Sequence, residues 1–230
     1  MKVFVIGIAG GVGHRVAEKL ARSGDKVTGL VRRPEQAEAL ASSGIETLPG
    51  DLVAMSIAEL AAIMRGCEAV VFSAGAGGKG GLAATSAIDG DGPGKLAEAA
   101  ALAGVPRFLL VSAFPEAWRE RHMNEKFEHY MVQKKKAEAE LVRSDLDWVI
   151  LRPSALTDDP GMGTVDLGLA QIHGEIARDD VAATIVELLH APEVSRIILE
   201  VTGGKTAIGA AVGALANRRS SIAPKAGPDG

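Results

Sequence analysis

Tyr130 and Lys134 stand four residues apart in a stretch, Glu125 to Arg143, that carries helical periodicity. At about 100° per residue the two lie only ~40° apart on a helix, with Ala137 and Leu141 on the same stripe. Lys135 and Lys136 point elsewhere, so Lys134 is the lysine that falls among apolar positions. One explanation is catalytic. The ammonium lowers the phenol pKa of Tyr130 and bonds a cofactor hydroxyl, and the phenol exchanges a proton with a substrate oxygen while a hydride moves. Ser112, expected at the C-terminal end of a strand from Arg107 to Ser112, would orient that oxygen, because open α/β sheets hold ligands at that edge. The alternative is a packed tyrosine beside a snorkelling lysine. Tyr130 is the only tyrosine in the chain, and the serine precedes it on the expected strand end; both facts favour the chemical reading.

A hydride needs a carrier, and the start of the chain supplies a place for one. Val3-Phe4-Val5-Ile6 is a short apolar run of the kind that forms a buried parallel strand. Gly7-Ile8-Ala9-Gly10-Gly11-Val12-Gly13 follows, and then Val12, Val16, Ala17 and Leu20 recur at helical spacing up to Ser23-Gly24-Asp25. A strand, a glycine turn and a helix form a dinucleotide-binding unit. A pyrophosphate lies against backbone N–H groups at the helix N-terminus, where a Cβ would hold it off. The spacing Gly7, Gly10, Gly13, with Gly11 also available, also fits a ligand-free strand-to-helix turn; the flanking strand and helix favour the cofactor.

Where the second strand, Lys26 to Val31, ends, NAD-preferring proteins place an acid on the ribose 2′-hydroxyl. This chain has Arg32-Arg33, two guanidiniums able to bond a 2′-phosphate, so NADP(H) is favoured over NAD(H); two solvated surface arginines are the alternative. Asp51-Leu52 after the third strand is placed to reach the adenine edge. Ser73-Ala74-Gly75 at the end of the fourth lets the nicotinamide ribose approach the backbone. An ordinary turn and a loop without contacts are the respective alternatives.

The 230 residues suffice for one well-buried α/β domain. Hydrophobic residues make up 47% but aromatics 3%, so the core rests on Val, Leu, Ile and Ala. A net charge of −4 argues against a nucleic-acid surface, and no apolar run is long enough for a membrane span. The single Cys67 cannot form an internal disulfide, and a first strand beginning at Lys2 points away from a leader peptide; a cytoplasmic protein is expected. His122 and His129 have no partners at metal-ligand spacing, so no metal is expected, and the partner is a small-molecule substrate. Oligomerisation is expected to stop at monomer or homodimer.

Six strands alternating with helices predict a doubly wound parallel sheet of Rossmann type. The expected helices include Pro34 to Ser42, Ile57 to Met64, and Gly94 to Ala103, the last with a possible earlier start near Ala84 and a break around Gly90-Asp91-Gly92-Pro93. Residues 1–152 would form the cofactor and catalytic part and 153–216 a small substrate-side segment, in which Asp179-Asp180 caps a helix through Leu189. Asn217 to Gly230 reads as an exposed arm.

In their order, these motifs resemble the short-chain dehydrogenase/reductase superfamily, and within it the atypical NAD(P)H-binding, NAD-dependent epimerase/dehydratase-like branch. The carriers are the Gly7–Gly13 turn, Val31-Arg32-Arg33-Pro34, Gly50-Asp51-Leu52, Val71 to Gly75, Arg107 to Ser112, Tyr130 to Lys134, Leu151-Arg152-Pro153 and Asp179-Asp180-Val181-Ala182. The resemblance implies Ser112, Tyr130 and Lys134 as the catalytic set, and Pro153 near the nicotinamide. One departure is the long gap between Ser112 and Tyr130, filled by Phe114-Pro115-Glu116-Ala117-Trp118. Three functions stay in play: an NADPH-dependent oxidoreductase acting on a small carbonyl, quinone or flavin-like acceptor; a non-catalytic NADP(H)-binding regulator; and epimerase or dehydratase chemistry on a sugar-like substrate. The last usually needs a larger C-terminal lobe.

Overall fold

Along each central strand, alternate side chains enter two different cores. Val3 and Val5 pack on one face of the sheet with Val71, Leu109 and Val149, whereas Phe4 and Ile6 pack on the other with Phe72, Phe108 and Ile150. This two-residue alternation, apolar on both faces, is the pattern of a parallel sheet covered on both sides. The computed structural model describes residues 1–114 and 121–222, with the side chains of 219–222 excepted. Pro115 to Trp118 of the expected insertion and the end of the expected arm, 223–230, lie outside the described residues.

Among the described residues nine strands form one sheet in the order β11-β8-β10-β6-β5-β4-β1-β2-β3. The parallel part comprises β1 (Lys2–Ile6), β2 (Lys26–Val31), β3 (Glu46–Pro49), β4 (Ala69–Phe72), β5 (Arg107–Val111), β6 (Asp147–Pro153) and β10 (Ile197–Gly203). The chain leaves β1 for β2 and β3 on one side and for β4, β5 and β6 on the other. The order therefore reverses beside β1, the place where such sheets open a crevice for a ligand. Two strands differ from expectation: β8 (Thr164–Gly168) and β11 (Thr206–Ala207) join antiparallel at the edge. A separate parallel pair joins β7 (Ala155–Thr157) with β9 (Glu175–Ala177).

Helices α1 (Gly11–Arg22), α7 (Arg178–Leu189) and α8 (Ile208–Ile222) cover the Val3/Val5 face, and α3 (Ile57–Met64), α5 (Gly92–Ala103) and α6 (Glu125–Val142) cover the other. The short α2 (Pro34–Ala41) links β2 to β3 and buries Leu40. α8 continues through Ile222, past the point where an arm was expected. The Asp179-Asp180 pair does not cap α7. The N-cap is Ala177, and Asp180 instead accepts the N–H groups of Met162 and Gly163, while Asp179 takes the Lys19 ammonium at 2.9 Å. Both acids still lie in the first turn, where the helix dipole favours them.

No break separates the residues around Gly90 from the following helix. α4 (Gly81–Thr85) runs into a π-helical stretch, Ser86–Asp91, and then into α5. Pro93 offers no N–H to the carbonyl of Asp89 and crowds it, and a widened turn relieves that conflict without ending the helix. Gly90 admits α6 at close range, since a Cβ there would meet the Gln133 side chain.

The glycine turn is closed as tightly by backbone as by any ligand. Gly7 sits at φ +84°, and a Cβ on it would lie 2.6 Å from the backbone of Ser73 and Ala74. A Cβ on Gly13 would fall within 2.3 Å of the Gly7 carbonyl oxygen. Gly13→Ala should therefore destabilise the protein: overpacking costs about 1–3 kcal/mol, more than the ~1 kcal/mol that alanine gains in helix propensity. Gly213→Ala in α8, with no described atom outside its own stretch of helix within 4 Å of its Cβ, should stabilise by about 0.5–1 kcal/mol in the same urea-unfolding series.

Candidate active site

A cavity of about 790 Å³ opens at the C-terminal ends of β1, β4 and β5, a size within the ~300–1,000 Å³ of ligand pockets. Its floor is the start of α1. Gly10 is the N-cap and has no side chain to satisfy the first N–H groups, and the first turn carries no acid. Gly7, Ala9, Gly10, Gly11 and Val12 all line the cavity. An anion finds there the open donors and dipole of a twelve-residue helix. Gly13 does not line it; its role is the packing against Gly7 described above.

Arg32, Asp51 and Leu52 line one end. The backbone N–H groups of Arg32 and Arg33 share the Gln36 side-chain oxygen at 3.2 Å, which fixes the bend from β2 into α2. The two arginines then part. Arg32 lies 4.0 Å from the Asp51 carboxylate on the rim, whereas Arg33 lines a neighbouring hollow of about 490 Å³ with His14 and Gln36. Ser73, Ala74 and Gly75 form the wall opposite α1.

Ser112, Tyr130 and Lys134 line the other end of the same cavity. Lys134 is 4% exposed. Its ammonium donates to the Val111 carbonyl at 3.0 Å and lies 3.9 Å from Asp89 Oδ1 and 5.7 Å from the centroid of the Tyr130 ring. Burial pulls the Lys134 pKa down, and Asp89 and Glu138 oppose that pull. The phenol does not behave as the spacing suggested. Burial, and then the negative charge of Asp89, push the Tyr130 pKa above its ordinary value rather than below it.

The Ser112 hydroxyl, expected to orient a substrate oxygen, is bonded within the protein. It donates to Glu138 Oε1 at 2.6 Å, and Glu138 takes two further bonds from Arg152, at 2.9 and 2.6 Å. The serine proton is therefore committed to a charge-assisted bond inside the protein. Pro153 is buried at the end of β6 and does not line the cavity; Leu156 lines it instead. His129 bonds Ser86 at 2.9 Å, and among the described residues no group of acids, cysteines and histidines could hold a metal. No described helix is long and apolar enough to cross a membrane.

Asp89 and Arg178 are among the cavity residues that the sequence does not mark. Asp89, 2% exposed, sits on the π-helical stretch, accepts the Ala76 N–H at 2.9 Å and crowds the Cβ position of Gly75. Nothing in the sequence distinguishes it from a loop acid. Arg178, the first residue of α7, lies over the α1 N-terminus, its Cδ 2.9 Å from the Cβ position of Gly11. It is paired with Asp158 at 3.0 Å, an acid that Arg15 also approaches at 3.6 Å. Its signal was its place beside the Asp pair at a helix start.

Known proteins match this architecture. A model of the NAD(P)H-binding family matches residues 7–192. An uncharacterized sugar epimerase of Bacillus subtilis, YhfK, is 38% identical over 213 residues, 92% of this chain and 99% of its own. A solved Bacillus halodurans protein, named for NAD-dependent epimerase/dehydratase activity, superposes with a TM-score of 0.84 at 30% identity, over 93% of this chain and 99% of that one. The oxidoreductase YlbE of Lactococcus lactis superposes with a TM-score of 0.82 at 28% identity, over 94% and 97% of the two chains. The match over most of the chain, on a glycine turn that would accept a pyrophosphate, leads to one conclusion: this chain belongs to the NAD(P)H-binding family.

Proposed function

We propose that the protein is an NADPH-dependent oxidoreductase that reduces a small carbonyl, quinone or flavin-like acceptor. One observation carries this reading: a tyrosine and a buried lysine line the same cavity as the open N-terminus of α1. The oxidoreductase name of the Lactococcus lactis structure supports it.

The residues fit the cofactor. The N–H groups of the Gly10–Val12 turn hold the pyrophosphate, and Arg178 adds a cation over them. Arg32 on the rim, with Arg33 in the neighbouring hollow, would supply the cations for a 2′-phosphate. The small side chains of Ser73 and Ala74 and the bare Gly75 would admit the nicotinamide ribose, and Lys134 would donate to its hydroxyls. When bound, the reduced nicotinamide supplies a hydride. Tyr130 gives its phenolic proton to the acceptor oxygen: its O–H bond breaks as the product's forms, and the phenol recovers a proton from solvent. Its raised pKa keeps the phenol protonated, so the proton to be given is present at neutral pH. Leu82, Phe127 and Leu156 supply an apolar wall for the acceptor. Ser112 stays bonded to Glu138 and holds α6 against β5.

A second reading, a non-catalytic NADP(H)-binding regulator, is favoured by that same committed serine. Sugar epimerisation, the chemistry named for the Bacillus subtilis relative, fits less well: much of the chain after β6 extends or covers the sheet rather than building a lobe over the cavity.

Tyr130→Phe separates enzyme from regulator. NADPH oxidation by any acceptor the protein reduces should fall by about a hundredfold or more while cofactor affinity, followed by fluorescence titration, stays unchanged. Normal turnover would overturn the assignment. Replacing Arg32 and Arg33 together by Ala should weaken NADPH binding by about tenfold or more, because charge-assisted bonds are lost, and leave NADH binding nearly unchanged. Equal losses for both cofactors would remove the preference for NADPH.

A further inference from the structure

The buried end of the cavity holds a carboxylate that the proposed reaction does not use. Asp89 is as deeply buried as Lys134, and a charge in that position needs a structural reason. One of its oxygens takes the Ala76 N–H, which ties down the loop after β4. The other faces the Lys134 ammonium at 3.9 Å, next to the bare Gly75. Each element packed against Lys134 contributes a defined group. β5 gives the Val111 carbonyl; α6 itself gives Tyr130 one turn before and Glu138 one turn after; the π-helical stretch gives Asp89. The charge of Glu138 is already engaged by Arg152 from β6. Asp91 on the same stretch pairs with Lys136, and His129 bonds Ser86. Asp89 is therefore the carboxylate that balances the lysine at the cavity wall.

We propose that Asp89 is a positioning residue of this site, whose carboxylate offsets the charge of Lys134 and so weakens the pull of that ammonium toward a phenolate at Tyr130. The inference rests on the reading of Tyr130 and Lys134 as the proton-handling pair. The burial of Tyr130, and then the charge of Asp89, oppose a phenolate, and Asp89 itself is pushed up by burial and held back by Lys134 and the Ala76 N–H.

Because Tyr130 is the only tyrosine, phenolate absorbance near 295 nm reports its ionisation with no substrate or cofactor present. Stopped-flow pH jumps on the full chain read it before alkaline unfolding sets in. Asp89→Asn keeps an acceptor for the Ala76 N–H and removes the charge. Its titration midpoint should fall by about one pH unit relative to the parent protein. Asp89→Ser is a second route to the same neutral site and should move the midpoint in the same direction. A midpoint unchanged in both variants, with near-ultraviolet circular dichroism intact, would overturn the proposal. That failure is distinct from failure of the catalytic reading, which Tyr130→Phe turnover decides.

Discussion

A buried ammonium organises the chemical end of this fold. Lys134 has almost no contact with solvent, so its charge must be answered by protein groups, and the answering groups come from three separate elements. The Val111 carbonyl fixes it to the end of β5, Asp89 fixes it to the π-helical stretch, and Tyr130 precedes it by one turn on α6. Satisfying one charge thus locks a strand end, a helix and a loop into a single wall. The widened turn before Pro93 belongs to the same solution. It lets the chain carry Asp89 inward while the helix continues, and the bare Gly90 lets Gln133 of α6 close over it.

A second polar chain braces the wall from behind. Ser112, Glu138, Arg152 and Glu200 link β5, α6, β6 and β10, and Glu200 accepts the Gln171 N–H in the loop that follows β8. The Arg152–Glu138 pair is partly buried and bidentate, the geometry in which an ion pair holds orientation as well as charge. Ser112, which the sequence motifs place in a reaction, also forms one link of that brace.

Much of the cofactor end was legible in the sequence. A strand, a turn with glycines at 7, 10 and 13, and an amphipathic helix leave few arrangements, because each glycine answers a local steric demand: φ and the β4 crossing for Gly7, the Gly7 carbonyl for Gly13. The parallel strands were legible for the same kind of local reason, as short apolar runs between helices. What the sequence withheld depends on contacts across long separations. Asp89 and Arg178 look like ordinary surface residues until the fold carries one beside Lys134 and the other over Gly11. The Ser112–Glu138 bond was hidden because nothing local in the sequence shows that the stripe of Tyr130, Lys134, Ala137 and Leu141 also carries Glu138 to the end of β5. The antiparallel edge strands β8 and β11 were hidden because their short, mixed sequences carry no clear period. The π-helical stretch was taken for a break because glycine and proline mark helix ends far more often than widened turns.

The central claim is that this cavity passes a hydride from NADPH to an acceptor, and the transfer itself can be followed. Incubation with NADPH carrying deuterium on the transferring face of C4, against FMN, quinones, aldehydes and ketones, measures both cofactor loss and the fate of the label. The account predicts steady NADPH oxidation with at least one of these acceptors, and deuterium on the carbon of any aldehyde or ketone reduced. Tight binding of both NADPH and NADP+ with no consumption by any acceptor would contradict it.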